Sequence, residues 1–218
     1  MVKDLVIIGS GNPDIVRLIE EINAERRRYN FIGFLENDES LYNTEKYGYP
    51  ILGNDNLMFE EKMKNVVLIN NVYSDQEVRQ RTYKQISNLP RERFCNLIHP
   101  TVKLHKNTMG IGNIVYDFVV MQSKTIIGDH NVIHTASIIG HESIIGNNNL
   151  MAGSVTIGSR AKVGDYCFFG IGSILLSGLS VVDLTFIGGG AVIINNIKQK
   201  CTLFGNPARV LPQNKTQL

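Results

Sequence analysis

The sequence predicts a two-part chain. A small α/β, Rossmann-like domain occupies residues 1–95, and a parallel β-helix of six-residue repeats with a C-terminal cap follows over 96–218. Three observations predict this. An apolar residue recurs at every sixth position from Met121 to Ile193, glycine or alanine recurs one place later, and the N-terminal stretch alternates β-rich apolar runs with helical patterns. Bulk properties agree with a soluble globular protein, at 43% apolar and 19% charged residues. A net charge of +2 without a dense Lys/Arg run predicts neither nucleic acid nor a membrane surface as partner. Arg26-Arg27-Arg28 reads as the close of a helix, complementing its C-terminal dipole.

In chain order, the apolar run at the N-terminus is too short for a signal peptide and contains Asp4. No later run approaches the roughly 20 apolar residues of a spanning helix. Cys95, Cys167 and Cys201 are odd in number and lack a CxxC pair, which reads as reduced thiols in a cytoplasmic protein with no metal site.

Lys3 to Ile8 is β-rich and runs into Gly9-Ser10-Gly11-Asn12-Pro13, then into Ile15, Val16, Leu18, Ile19 and Ile22 at helical spacing. A second strand, Phe31 to Leu35, ends in Glu36-Asn37-Asp38. A third, Val66 to Ile69, precedes a polar helical stretch from Ser74 to Ser87. This βαβ-then-βα order argues a parallel sheet with ligand at the carboxyl ends of its strands. Gly9-x-Gly11 is an incomplete dinucleotide fingerprint, since Asp14 stands near where a third glycine would fall. Glu36, 25 residues past Gly11, is placed to hold a ribose hydroxyl, so a nucleotide or nucleotide sugar is expected here rather than a redox cofactor. A tight βα turn without ligand is the plain alternative.

Stepping by six from Met121 lands on Ile127, Ile133, Ile139, Ile145, Met151, Ile157, Val163, Phe169, Leu175, Val181, Ile187 and Ile193. Chance produces such a run with odds on the order of one in ten thousand at ordinary composition. The next column holds Gly128, Gly140, Gly146, Ala152, Gly158, Gly164, Gly170 and Gly188, implying corners with unusual φ/ψ or close backbone approach. A column four places after each step is mostly small: Thr125, Asn131, Ser137, Ser143, Asn149, Val155, Ala161, Cys167 and Ser173. Period six fits a prism with short strands as faces, its ends needing caps. A passive spacer is the bland alternative, and an ice-binding face would need exposed Thr columns that this chain lacks.

Of five histidines, His99 before Pro100 reads as structural, and His105 and His130 as surface residues. His141 stands two places after Ile139 and is followed by Glu142. A histidine is the usual general base, and a neighbouring carboxylate orients it. Adjacent residues on a flat strand face opposite ways, so contact between the two requires a bend. Ser159 holds the equivalent position after Ile157. If one coil takes three repeats, it stacks on His141 one rung away.

The chain resembles the bacterial hexapeptide acyltransferases that N-acetylate nucleotide-linked amino sugars, of the bacillosamine-pathway type, with sialic acid O-acetyltransferases as relatives. The resemblance rests on Ile8-Gly9-Ser10-Gly11, Gly33-Phe34-Leu35-Glu36-Asn37, Asn96-Leu97-Ile98-His99-Pro100, His141-Glu142, Cys167-Phe168-Phe169-Gly170-Ile171-Gly172, Gly188-Gly189-Gly190-Ala191 and Gly205-Asn206-Pro207-Ala208. It implies a left-handed β-helix, a homotrimer, acetyl-CoA between neighbouring solenoids and a sugar nucleotide on the N-terminal domain. By position, His141 would be the base, Glu142 its orienting carboxylate and the Ser159 amide the oxyanion donor. His134, Gly158, Ser159, Gly170, Ile171 and Gly172 would line acetyl-CoA, and Gly9, Ser10, Gly11, Glu36, Asn37 and Ile69 the nucleotide sugar. Family members carry Asn in place of His134, His in place of Leu150, and often His in place of Pro13. The implied activity is N-acetylation of a nucleotide-activated 4-amino-deoxy sugar for surface polysaccharide or glycan assembly. Sugar O-acetylation and a non-catalytic binding relative are the alternatives.

Overall fold

The structure is a computed structural model that describes residues 2–72 and 75–212. The chain forms two compact units, one running to Thr101 with Gly110–Asp117 added, the other comprising Val102–Met109 and everything from Phe118.

The first unit is built on β1 (Lys3–Ile8), α1 (Asp14–Glu25), β2 (Tyr29–Leu35), β3 (Glu45–Lys46), β4 (Tyr49–Gly53), β5 (Val67–Asn70) and α2 (Gln76–Ile86). The sheet order is β3-β4-β2-β1-β5, with β1 parallel to both β2 and β5. β1 carries four fully buried residues, Leu5 to Ile8, as a strand covered on both faces must. The apolar stripe of α1 is buried as its spacing predicts. Arg26 is the C-cap of that helix, so the arginine run lies just past its end. Ser74, where the sequence reading starts the second helix, lies outside the described residues. Asp75 caps α2, its carboxylate accepting from the Glu77 and Val78 amides.

The β3–β4 hairpin was not foreseen. Tyr47 and Gly48 both have positive φ, the two-residue turn that matches strand twist, and β4 then joins β2 in parallel. Tyr-Gly between two very short strands is a weak signal in sequence.

The second unit is a left-handed parallel β-helix with three faces. The first face contains Thr108–Met109, Ile126–Ile127, Ile144–Ile145, Lys162–Val163 and Ser180–Val181. The second contains Val132–Ile133, Leu150–Met151, Phe168–Phe169, Phe186–Ile187 and Thr202–Phe204. The third contains Val120–Met121, Ile138–Ile139, Thr156–Ile157, Ile174–Leu175 and Val192–Ile193. From Thr108 to Ile193 the pairings between coils join residues 18 apart, as Ile139 with Ile157, so one coil takes three repeats, while the closing strand pairs at 16, as Phe186 with Thr202. The thirteen step residues point inward and none is more than 4% exposed. Each contributes about 1.5–3 kcal/mol of gross burial energy.

The corners resolve the two explanations left open for glycine. Left-handed φ recurs every six residues, but at the third place after each step. Lys106, Phe118, Lys124, His130, Ala136, Glu142, Asn148, Ser154, Arg160, Tyr166 and Leu184 occupy it alongside glycines. Such a φ costs roughly 1–2 kcal/mol in an L-residue. A backbone bond to the coil below offsets it, as in Glu142 N to Ser123 O at 3.1 Å and Arg160 N to His141 O at 2.8 Å. The glycines one place after the step are needed for approach instead. A Cβ on Gly158 would lie 2.7 Å from Leu176 C, and one on Gly170 2.8 Å from Gly188 C.

Buried polar residues satisfy the inner corner groups. Asn149 donates to Asn131 Oδ1 at 3.0 Å and accepts from the Cys167 amide at 2.8 Å, while Ser143 Oγ donates to Gly158 O. At the C-terminal end, Thr202–Phe204 pairs in parallel with Phe186–Ile187 and antiparallel with Arg209–Val210, which closes the last coil. Among the described residues no helix is long and apolar enough to cross a membrane.

Candidate active site

The three prism edges sort the predicted residues. His141, Glu142, Gly158 and Ser159 share the edge between the third and first faces, while His134, Gly170, Ile171 and Gly172 lie on the edge between the second and third. One chain therefore does not gather all of them into one place.

On the first of these edges, Glu142 takes φ +58, and that supplies the bend its contact with His141 requires. Nδ1 of His141 stands 3.8 Å from Glu142 Oε2, near enough for attraction but beyond hydrogen-bond reach. The other carboxylate oxygen is 3.8 Å from Lys124 Nζ. Glu142 is thus shared between an imidazole and an ammonium; the His141 and Glu142 side chains are about half exposed and that of Lys124 more so.

Ser159 stacks on His141 one coil higher, about 4.8 Å away by strand spacing. Their amides differ in a way that follows from one residue type. The His141 N–H donates to Gln122 Oε1 at 2.9 Å. For Ser159 the position corresponding to Gln122 is Gly140, which has no side chain to offer. Among the described residues no acceptor meets the Ser159 N–H. A Cβ on Gly140 would fall on that nitrogen and lie 2.7 Å from Gly158 C, so glycine alone leaves the amide uncovered. The next rung repeats the pattern with Gly158 beneath the Ser177 amide. Two uncovered N–H groups beside an imidazole form a site for a developing negative charge next to a base. Gln122, Gly140 and Ser177 were missed in sequence. The signal was there: on this edge alone the position after the step runs Gln122, Gly140, Gly158, Leu176.

On the second edge Ile171 is 68% exposed. It stands between Gly153 and Gly189, one coil to either side, as an isolated apolar knob on a bare ledge. Leu176 and Ile194 continue the His141 edge with exposed aliphatic side chains.

In the first unit, the loops after β1, β2 and β5 lie together at the carboxyl ends of the strands, where the sheet order reverses. Gly9 has φ +86, and a Cβ there would meet Val72 Cγ2 at 2.6 Å. Ser10 is fully buried. Its N–H and Oγ both donate to Glu36 Oε2, at 3.1 and 2.7 Å, and its Oγ accepts from Lys46 Nζ at 3.1 Å. Glu36 therefore staples the glycine loop. Gly11 is exposed with open space around it, and Asn37 donates to Asp55 at 2.7 Å. Burial pushes the Asp55 carboxyl above its usual range, the Asn37 bond opposes this, and the Glu36 charge adds to it.

Ile69 is a correction: it is wholly buried and paired with Ile7, so its side chain belongs to the core. The polar residues that follow are better placed. Asn71 Nδ2 donates to Gly9 O at 3.1 Å, and its buried Oδ1 meets no donor among the described residues. Pro13 and Asp14 weaken the start of α1 as an anion site. Proline lacks an N–H, Asp14 brings a carboxylate, and its amide is taken by Asn12 Oδ1 at 3.0 Å.

Fold and edge together define a left-handed hexapeptide β-helix preceded by a parallel α/β unit. No protein-family model and no curated protein matches the chain. Solved structures do. The acetyltransferase domain of PglB from Neisseria gonorrhoeae FA1090 is 24% identical over 96% of this chain and 100% of its own, with a TM-score of 0.81. The same domain in complex with acetyl coenzyme A is 23% identical over 97% and 100%, at 0.83. PerB from Caulobacter crescentus, in complex with CoA and GDP-perosamine, is 22% identical over 97% and 99%, at 0.82. At these identities the likeness establishes the fold along nearly the whole chain.

Proposed function

We propose that the chain is an acetyl-CoA-dependent N-acetyltransferase acting on the amine of a nucleotide-activated 4-amino-deoxy sugar. One observation carries the reading: the His141 imidazole and the uncovered Ser159 amide stand one rung apart on one edge. That pairing suits attack of an amine on a thioester. His141 takes the amine proton as the C–N bond forms. Ser159 N–H, backed by Ser177 N–H, receives the charge that gathers on the carbonyl oxygen. The C–S bond then breaks, and the proton held by His141 passes to the departing thiolate. Glu142, without a hydrogen bond to the ring, steadies the imidazolium by charge alone.

Solved structures of this fold in complex with acetyl coenzyme A, or with CoA and GDP-perosamine, support the reading of donor and acceptor class. Acetyl-CoA suits the residues present: amides for its carbonyl, and exposed Leu176, Ile194 and Ile171 for its pantetheine arm. Because Gly170, Ile171, Gly172 and His134 occupy a different edge from His141, a donor site using both is completed by a second copy. The proposal therefore includes an assembly of copies, and the family resemblance implies that this assembly is a homotrimer. In the first unit, Gly9, Ser10, Gly11 and Asn37 take the nucleotide, with Asn71 joining them.

The test is thiol release from acetyl-CoA with a panel of UDP-, GDP- and dTDP-linked 4-amino sugars. His141→Ala is expected to lose about 10²–10⁴ of the rate. A loss below about tenfold sinks the base assignment, and a product cleaved by mild base is an ester and sinks N-acetylation.

A further inference from the structure

The His141 edge continues in both directions, and its two ends differ in chemistry. Toward the C-terminus lie the Ser159 and Ser177 amides and then Leu176 and Ile194. The one charge there is Arg160, followed by Gly178 at the equivalent place one coil on. Toward the N-terminus the next two coils place Ser123-Lys124 and His105-Lys106. Their stacking is direct: His105 Nδ1 and Ser123 Oγ share a hydrogen bond at 3.0 Å, and Ser123 O accepts from the Glu142 amide. Lys124 is 64% exposed in its side chain and stands 3.8 Å from Glu142. Lys106 has φ +55, is exposed, and meets no carboxylate among the described residues.

We infer that this cationic ledge, His105-Lys106 with Ser123-Lys124, binds the diphosphate of the acceptor sugar nucleotide. The inference rests on the acetyltransferase reading and extends it. The uncovered amides lie on the C-terminal side of His141, so the thioester belongs on that side and the amine arrives from the other. The acceptor then extends along the N-terminal coils. In a 4-amino sugar the amine and the diphosphate stand at opposite ends of the ring, a separation comparable to the one to two rungs, about 5–10 Å, between His141 and the ledge. Two ammonium groups, an imidazole and a hydroxyl match two adjacent phosphoryl groups in charge and donors. The first unit offers its own helix N-terminus poorly, for the reasons given at Pro13 and Asp14, and Lys46 is engaged with Ser10.

The experiment uses the full chain, with sugar nucleotide and acetyl-CoA varied separately. Glycine suits the φ of residue 106, so Lys106→Gly keeps the coil. It is expected to raise the sugar-nucleotide KM about tenfold, as loss of a charged hydrogen bond does. The acetyl-CoA KM and kcat should stay within about twofold, with Lys106→Arg restoring the KM, since a guanidinium also serves phosphate. A change confined to acetyl-CoA, or none at all, overturns the ledge. If no nucleotide sugar is acetylated by the wild type, the activity itself fails. The ledge is then judged by the His105 ring signal in NMR on adding UDP, GDP or dTDP. A shift that weakens in Lys106→Gly upholds diphosphate binding, and an unmoved ring refutes it.

Discussion

Gly140→Ala is the sharpest test of the site because a single methyl group bears on a single amide. An added Cβ lands on Ser159 N and within 2.7 Å of both Gly158 C and Ser159 Cα, all backbone, so no flexible side chain can move aside. Overpacking of this kind costs about 1–3 kcal/mol, which lowers Tm by roughly 2–12 °C in a chain of this length. The same methyl group covers the proposed oxyanion donor, and removing one such donor costs about 10²–10³ in kcat. Gly146→Ala supplies the control. Its Cβ meets the Asp165 carboxylate first, then Gly164 O at 2.6 Å and Gly164 C at 2.8 Å, so it too clashes with backbone, on an edge without site residues. Thermal melts and steady-state acetyl transfer on both variants separate the effects. Similar losses of Tm are expected, with kcat collapsing in Gly140→Ala and staying within about threefold in Gly146→Ala. Equal kcat losses, or an unaffected kcat in Gly140→Ala at saturating substrates, refute the oxyanion argument.

Three further outcomes are expected. Ala136→Gly, at an exposed corner with φ +62, relieves left-handed strain of about 1–2 kcal/mol less the flexibility that glycine adds, so Tm should rise by about 2 °C; a fall refutes the corner account. The folded Asp55 carboxyl holds its proton to higher pH than the unfolded chain does, so its ionisation withdraws stability as pH rises from about 4 through the folded value. Wild type should therefore lose Tm relative to Asp55→Asn over that window, and a pH-independent difference between them defeats the assignment. Burial pushes the Cys95 thiol up to about 11 and Cys167 is enclosed by the coils, so a thiol reagent near pH 8 should modify Cys201 first. Prior labelling of Cys95 or Cys167 in the native state contradicts that order.

The six-residue period was legible because it is a one-dimensional property: every inward residue from Met121 to Ile193 answers to the same local rule, so the core of the β-helix could be read without knowing its shape. The strands and helices of the first unit were legible for the same reason, whereas the β3–β4 hairpin rested on a two-residue turn too short to stand out. His141 was legible as a candidate by residue type and by its phase against Ile139.

What it faces was not. Coil closure at 18 residues decides that Gln122 meets the His141 amide while Gly140 leaves the Ser159 amide bare. It also decides that Ile171 belongs to another edge and that His105 and Lys106 stack two coils below the base. Glycine's role in the repeat likewise needed the third dimension. Composition proposes either unusual φ or close approach, and only the neighbouring coil, pressed against the missing Cβ, selects the second. Ile69 was misplaced because a strand's final apolar residue and the loop after it are adjacent in sequence, yet lie on opposite sides of the boundary between core and solvent. The sequence by itself determined the spacing of the side chains; the closing of the coils determined which of them meet.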